Sequence, residues 1–107
     1  MKILITGGKS IQALKLVDAY ANDAVVLADY GDAPSFPSTK YHFISLGERN
    51  DDIIAHNLLN YCLNEGVDAI LPLYTFEIEQ VAKSTVLFKE FNIDVLMPDT
   101  EKIINAE

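Results

Sequence analysis

Ile3-Leu4-Ile5-Thr6-Gly7-Gly8-Lys9-Ser10 joins an apolar run of strand length, through two glycines, to a segment that shows helical periodicity from Ile11 onwards. A buried strand that delivers glycines to a helix N-terminus groups backbone N–H donors, and such a group suits an anion. The join therefore predicts an α/β fold, with Gly7 and Gly8 as candidate ligand-binding positions. A tight turn with Ser10 as the helix cap explains the same residues without any ligand.

Apolar runs of strand length recur along the chain, at residues 2–6, 24–28, 41–45, 69–73 and 93–96. Most of them are separated by segments in which apolar residues repeat with helical period and should face a core. These faces comprise Ile11, Leu14 and Val17; Ile54, Leu58 and Tyr61; and Ile78, Val81, Ala82 and Phe88. The runs other than 41–45 lack polar alternation, which indicates a mainly parallel sheet covered on both faces. We therefore expect an α/β, three-layer, Rossmann-like domain.

The interval between the second and third runs, residues 29–40, breaks this rhythm. It contains Gly31, Pro34 and Pro37 among small polar residues, and it is predicted to be an irregular loop rather than a helix. Right-handed crossovers then favour the strand order 3-2-1-4-5. In such a sheet the winding reverses between strands one and four, and ligands of open α/β sheets bind there, beside the carboxyl ends of the strands.

The predicted site is the crevice at which the winding reverses. Gly7 and Gly8 should face residues 73–77 across it, so Tyr74, Thr75 and Glu77 are candidate substrate-binding residues. Glu77 also lies at a predicted helix N-terminus, where the helix dipole favours a carboxylate whatever its function. Tyr74 and Thr75 could equally be ordinary loop residues.

Two nucleotide-binding patterns match this region in part. Gly8-Lys9-Ser10 resembles the end of a P-loop, but the earlier glycine that a P-loop requires falls at Ile3, inside the strand. The dinucleotide pattern fits better, because Asp29 ends the second strand about twenty residues on, where an acid would contact a ribose. Its later glycine positions hold Ser10 and Ala13, which weakens the match. A stand-alone nucleotide- or dinucleotide-binding module, with Asp29 as the nucleotide or ribose contact, is the alternative.

Composition limits the class of protein. The 107 residues carry a formal net charge of -8, and the eight basic residues do not cluster, so nucleic acid is not an expected partner. Without a charged-then-apolar leader or a long uncharged apolar run, we expect no membrane partner and a cytoplasmic location. His42, His56 and Cys62 are not at metal-ligand spacing, and Cys62 lies among leucines as a small buried hydrophobe would. We predict no metal site and no catalytic residue in this chain.

Five segments, taken in order, resemble the N-terminal domain of ATP-grasp ligases, the pre-ATP-grasp domain of carbamoyl-phosphate synthase-like and carboxylate-amine ligase proteins. They are Met-Lys-Ile-Leu-Ile-Thr-Gly-Gly at 1–8, Val-Leu-Ala-Asp at 26–29, the loop that ends near Tyr41, Gly-Val-Asp-Ala-Ile-Leu-Pro at 66–72 and Asn-Ile-Asp-Val-Leu-Met-Pro-Asp at 92–99. The similarity covers essentially the whole chain. It implies that Gly7, Gly8 and Glu77 resemble positions that approach substrate, and that Asp29 resembles the acid commonly found after the second strand.

The resemblance implies a parent enzyme that uses ATP to activate a carboxylate as an acylphosphate, which an amine or similar nucleophile then captures. In this family ATP and Mg²⁺ are held by two later domains, whose lysines, acids and phosphate-covering loop are absent from this sequence. The resemblance thus implies no cofactor in this chain and no catalytic competence for it alone. Its implied partners are the ATP-grasp domains or a protein carrying them, a small-molecule substrate and, as often in the family, a second copy in a homodimer.

The final residues are predicted to begin a helix. Pro98-Asp99-Thr100-Glu101 supplies a capping residue, and Ile103 and Ile104 supply an apolar face, but the sequence ends at Glu107. We therefore interpret residues 1–107 as a single domain. Its last segment, residues 99–107, is expected to be a truncated-looking terminal helix, as in an N-terminal domain excised from a longer protein.

Overall fold

The computed structural model of the protein describes residues 1–34 and 38–105. Within these residues, five β-strands and four α-helices follow one another in chain order. The strands are β1 (Lys2–Ile5), β2 (Ala24–Asp29), β3 (His42–Ser45), β4 (Ala69–Leu71) and β5 (Asp94–Val95), and the helices are α1 (Ile11–Ala19), α2 (Ile54–Glu65), α3 (Thr75–Lys83) and α4 (Thr85–Glu90). The strand bounds differ from the predicted ones by at most two residues.

The strands form one parallel sheet in the order β3-β2-β1-β4-β5, as the crossovers predicted. β1 lies at the centre, where Ile3 pairs with Val25 of β2 on one side and with Ala69 of β4 on the other. Ile3, Leu4 and Ile5 are fully buried, which explains why this strand is apolar at successive positions. The prediction of an α/β, Rossmann-like fold with this strand order is confirmed.

Two apolar cores lie on the two faces of the sheet and make the fold three-layered. Successive side chains of a strand point to opposite faces, so Leu4 enters one core while Ile3 and Ile5 enter the other. The Leu4 core is completed by residues of α2, α3 and α4, among them Phe88. The second core is completed by α1, for example through Val17. The helices thus cover both faces and leave the carboxyl edge of the sheet as the place for a site.

Helix α1 buries Val17 of its predicted face, but it is rotated so that Ala13, and not Ile11 or Leu14, lies against the sheet. Ile11 and Leu14 are 69% and 45% exposed, whereas Ala13 and Val17 are buried. The Ser10 hydroxyl caps the helix by accepting a hydrogen bond from the Ala13 N–H at 3.1 Å, as the sequence suggested. This cap fixes the phase of the first turn, and the small side chain of Ala13 lets the helix lie close to the sheet.

The remaining helices agree with the prediction in part. Ile54 and Leu58 of α2 are buried as expected. The third predicted helix is in fact two helices, α3 and α4, which meet at Ser84. Val81 of its predicted face is buried, but Ala82 is exposed, because α3 ends immediately afterwards and the chain changes direction.

The segment after β5 does not form the predicted α-helix. A single 3-10 turn at Thr100–Lys102 is followed by extended backbone and by a parallel bridge between Ile104 and Tyr74. The Ile104 N–H donates to the Leu73 carbonyl at 2.7 Å, and the Ile104 carbonyl accepts from the Thr75 N–H at 3.1 Å. This pairing places the Ile104 side chain against the core on the α1 side. Burial of that apolar side chain explains why the backbone becomes extended here.

Gly31 and Pro34 lie in irregular backbone between β2 and β3, as predicted, whereas Pro37 of that loop and residues 106 and 107 of the predicted terminal helix lie outside the described residues. The Gly31 N–H donates to the Gly47 carbonyl at 2.9 Å and thereby joins this loop to the one that follows β3. Among the described residues, no helix has both the length and the apolar character needed to cross a lipid bilayer.

Candidate functional site

The glycine turn after β1 is shaped by the chain's own residues on both sides. Gly7 has a left-handed conformation with a φ of +66°, which glycine adopts without strain. A Cβ atom at Gly7 would lie 2.7 Å from Cδ1 of Ile104, and one at Gly8 would lie 2.9 Å from both Leu27 and Phe43. The two glycines therefore allow close packing against neighbouring segments. This packing agrees with the tight-turn explanation of the two glycines.

The backbone N–H groups of Gly8 and Lys9 in this turn donate to acceptors within the chain. The Gly8 N–H bonds to the Ala28 carbonyl at 3.0 Å, and the Lys9 N–H bonds to Oδ2 of Asp29 at 3.1 Å. The Lys9 ammonium in turn donates to the Tyr30 carbonyl at 2.8 Å. The anion held beside the turn is thus the carboxylate of Asp29.

Asp29 ends β2 and is only 4% exposed. Besides the Lys9 N–H, its carboxylate accepts hydrogen bonds from the Tyr30 N–H and from the Tyr74 hydroxyl, each at 2.8 Å to Oδ1. A carboxylate with three donors is well satisfied in a buried position. The predicted nucleotide or ribose contact is therefore already fully engaged with protein groups.

Glu77 lies in the first turn of α3 and is completely buried. Its Oε1 accepts from the Thr6 hydroxyl at 2.5 Å and, more distantly, from the Tyr74 N–H at 3.4 Å, while its Oε2 accepts from the Tyr30 hydroxyl at 2.7 Å. The Thr6 hydroxyl also accepts from the Leu73 N–H at 2.8 Å. The predicted placement at a helix N-terminus is confirmed, but the carboxylate points into the fold.

Asp29, Tyr30, Tyr74 and Glu77 together form a reciprocal arrangement that we call the carboxylate–tyrosine clasp. Tyr30 gives its N–H to Asp29 and its hydroxyl to Glu77. Tyr74 gives its N–H to Glu77 and its hydroxyl to Asp29. Each tyrosine therefore bonds to both carboxylates, and the clasp ties the end of β2 to the start of α3 across the end of β1.

The electrostatics of the clasp are dominated by burial. Burial raises the pKa of Glu77 from 4.5 to about 7, although the hydrogen bonds from Thr6, Tyr30 and the Tyr74 backbone oppose this rise. Burial also raises the pKa of Tyr30, with the negative charge of Glu77 adding to the effect. Burial raises the pKa of Tyr74 as well, helped by its hydrogen bond to Asp29. The two phenols therefore stay protonated and act as hydrogen-bond donors.

The segment after β5 occupies part of the predicted crevice between the glycine turn and residues 73–77. The Ile104 side chain covers Gly7 and packs in the same core as Leu73, and the Thr75 N–H is bonded to the Ile104 carbonyl. The fold does bring the glycine turn and Glu77 together, through the Thr6 hydroxyl.

The accessible part of this edge is aromatic and lies just outside the clasp. The half-buried rings of Tyr30, Tyr74 and Phe76 are in mutual contact, with centroids 5.3 to 6.1 Å apart. The Tyr74 and Phe76 rings are stacked, with 17° between their planes. The guanidinium carbon of Arg49 lies 3.6 Å from the centroid of Phe76. We call these three rings the aromatic platform.

A cleft is lined in part by Arg49, the residue whose guanidinium group lies over the Phe76 ring. It lies between the end of β3 and the start of α2 and measures about 460 Å³. Its walls include both acidic and apolar groups, and the lining residues are Leu46, Glu48, Arg49, Asn50, Asp51, Ile53 and Asn57. This volume falls in the range of small-molecule sites.

The sequence did not identify Thr6, Tyr30 or Arg49 as members of this region, and it included Phe76 only as part of the facing segment 73–77. Tyr30 directly follows a singled-out acid and Phe76 directly precedes one, so adjacency to Asp29 and Glu77 was the available signal. Arg49 comes from the β3–α2 loop, and nothing in its local sequence connects it with Phe76. Only the parallel topology brings the ends of β2, β3 and β4 to one edge.

The residues considered as a nucleophile or as metal ligands are not members of the clasp or of the aromatic platform. Cys62 is buried in α2, and burial raises the pKa of its thiol to about 12, so the thiolate that a nucleophile requires is not formed. His42 lies on β3 with Nε2 3.7 Å from a carboxylate oxygen of Glu65, and His56 lies on α2. Within residues 1–34 and 38–105, no three His, Cys, Asp or Glu side chains are grouped as metal ligands.

We expect Gly7→Ala to destabilise the fold by about 2 kcal/mol. About half of this loss comes from the left-handed conformation, and the rest from displacing Ile104. Gly66→Ala is the matched control, because Gly66 has a φ of +64° and a Cβ added there would meet no atom within 4 Å. Urea unfolding should show a loss of only about 1 kcal/mol for this control. Equal losses for the two variants would show that Ile104 does not restrict Gly7.

No protein-family model matches the chain, and a search of curated proteins found none that is significantly similar. The function must therefore be inferred from the fold and from the geometry of the carboxyl edge. That edge combines a fully bonded pair of carboxylates with an accessible aromatic platform, Arg49 and the cleft that Arg49 lines.

Proposed function

We propose that this chain is the N-terminal, substrate-side domain of an ATP-dependent ligase of the ATP-grasp superfamily, of carbamoyl-phosphate synthase-like or carboxylate-amine ligase type. The proposal rests on the segment resemblance together with the five-stranded sheet in the order expected. In it, the chain supplies one wall of a small-molecule site and does not catalyse ligation alone. ATP and Mg²⁺ are held by ATP-grasp domains outside this sequence.

The observation that carries the proposal is that N–H groups of the glycine turn donate hydrogen bonds within the chain. The Gly8 and Lys9 N–H groups are bonded to Ala28 and Asp29, so the turn offers these donors to its own chain and not to a phosphate. A domain that leaves nucleotide binding to its partners has no need of a phosphate cradle. The proposal also includes a cytoplasmic location and, as in many members of the family, a homodimer.

The dinucleotide-binding module is less well supported by the same geometry. A ribose hydroxyl could reach Asp29 only by displacing the Tyr74 hydroxyl or a backbone donor. A pyrophosphate at the turn would also meet the Ile104 side chain beside Gly7. Both changes would break contacts that hold the clasp and the segment after β5 in place.

Calorimetric titration of the chain with NAD(H), NADP(H) and ATP separates the two functions. We expect no saturable heat from any of these nucleotides, because the Gly8 and Lys9 N–H groups of the turn are already bonded within the chain. Submicromolar binding of a dinucleotide would overturn the ligase proposal in favour of the alternative. Unfolding in urea, followed in parallel, verifies that the titrated sample is folded.

The coding sequence downstream of the Glu107 codon gives a second test. The proposal expects an open frame that encodes the lysines, acids and phosphate-covering loop of ATP-grasp domains, or a neighbouring gene that encodes them. A stop codon at this point with no such gene nearby would contradict it. The intact protein should then release ADP only in the presence of both a carboxylate and a nucleophile.

A further inference from the structure

The aromatic platform has the electronic character of a cation site. The faces of aromatic rings carry negative charge density and attract guanidinium and ammonium groups. The Tyr30 hydroxyl donates to Glu77 and the Tyr74 hydroxyl to Asp29, both at 2.7 to 2.8 Å. A phenol that donates to a carboxylate gains electron density on its ring, because the hydroxyl takes on part of the character of a phenolate. The clasp therefore makes two of the three rings better partners for a cation.

Arg49 of the same chain already makes a cation–π contact with the platform. Its guanidinium carbon lies 3.6 Å from the centroid of Phe76, well within the range of a cation–π contact. Arg49 is also paired with Asp51, with its Nε 2.6 Å from a carboxylate oxygen, and this partner is 68% exposed. The loop that carries Arg49 includes Gly47, which has a φ of +74°, and a Cβ added at Gly47 would meet no atom within 4 Å. Arg49 is thus carried by a loop whose start is held by hydrogen bonds of Gly47 to Gly31 and Ser45.

The surroundings of Arg49 suit a small cation better than an anion. The cleft of about 460 Å³ that Arg49 lines is also lined by Glu48 and Asp51, and the whole chain has a formal net charge of -8. Negative groups around an aromatic face raise the local concentration of cations. The size of the cleft fits a small molecule rather than a protein surface.

We propose that the aromatic platform and the cleft lined by Arg49 form a binding site for a small molecule that carries a planar guanidinium group, and that Arg49 occupies this site when the ligand is absent. The ligand stacks on Phe76 in place of Arg49 and lies beside Glu48 and Asp51. This inference stands on the contacts of the platform alone and does not depend on the ligase proposal.

Methylguanidinium is the probe, and proton NMR of the Phe76 ring is the readout, with the signal assigned by its loss in Phe76→Leu. We expect saturable shifts in the wild type with methylguanidinium and none with methylurea, the neutral molecule of the same shape. Arg49→Ala should bind methylguanidinium about two- to five-fold more tightly, since it removes a competing cation–π contact. Arg49 lies on a surface loop outside both apolar cores, so this variant should keep the fold.

Phe76→Leu should abolish binding, as measured by the shifts of the Tyr74 ring. Phe91→Leu is the matched control, because Phe91 is a partly exposed phenylalanine at the end of α4 and lies outside the platform; it should bind like the wild type. Equal shifts with methylurea and methylguanidinium would overturn the proposal, as would an Arg49→Ala variant that binds no more tightly than the wild type. The comparison of the two probes on the wild type remains decisive even if a variant fails to fold.

Discussion

The wild type should lose about 3 kcal/mol of its free energy of unfolding as the pH rises, and Glu77→Gln should abolish this loss. Burial raises the pKa of Glu77 from 4.5 to about 7 in the folded chain, so the folded state binds a proton more tightly than the unfolded state. Below the unfolded pKa both states are protonated and the stability is fully present. As the pH rises from 4.5 through about 7, the unfolded state has released its proton while the folded state still holds it, so the wild type loses stability progressively over this range.

The glutamine side chain at position 77 carries no charge at any pH, so the variant should not share this loss. Urea unfolding at pH 5 and pH 8 should therefore show that Glu77→Gln gains about 2 to 3 kcal/mol relative to the wild type between the two values. Glu79→Gln is the matched control, because Glu79 is exposed on the same helix; its difference from the wild type should be nearly constant. A constant difference for Glu77→Gln as well would show that Glu77 titrates normally.

Thr6→Val should destabilise the fold by about 2 to 4 kcal/mol at pH 8. The two side chains have nearly the same shape, but valine lacks the hydroxyl that accepts from the Leu73 N–H and donates to Glu77. Thr6 is fully buried, so water cannot replace these bonds, and each unsatisfied buried group costs about 1 to 3 kcal/mol. Loss of a donor to the carboxylate should also raise the pKa of Glu77 further.

Thr6→Ser separates the hydroxyl from the methyl group, because it retains both hydrogen bonds and should lose only about 1 kcal/mol. Unfolding in urea gives the stabilities, and a carbon NMR titration of the Glu77 carboxyl gives its pKa in each variant. The loss for Thr6→Val should be larger at pH 8 than at pH 5, since the hydroxyl favours the ionised carboxyl. Equal stability of the Val and Ser variants would mean that the Thr6 hydroxyl contributes nothing.

The sheet was predictable because its strands are local apolar runs. The uninterrupted apolar character of β1 and its neighbours gave the parallel sheet, and crossover handedness gave the strand order. The orientation of α1 was less accessible, because Ile11 and Leu14 fit the helical period as well as Ala13 and Val17 do. Capping by Ser10 and packing against the sheet select between the two faces, and neither is visible in periodicity alone.

The site was predictable in position but not in its contacts. Asp29, Tyr74 and Glu77 were identified because they follow strands at the carboxyl edge. Their partners depend on the register of distant strands: the Thr6 to Glu77 bond joins residues 71 apart in the chain, and the Tyr30 to Glu77 bond joins residues 47 apart. The Ile104 bridge was missed because a capping signal at Asp99 suggests a helix, whereas burial beside Leu73 favours extended backbone.

The sequence separations within the clasp have a kinetic consequence. Its two side-chain bonds join residues 45 and 47 apart in the chain, so they require β2 and the segment from β4 to α3 to be assembled, and we expect them to form late in folding. Contacts that form after the transition state govern the rate at which a protein unfolds, not the rate at which it folds. We therefore expect the clasp to slow unfolding and so to lengthen the lifetime of the native state.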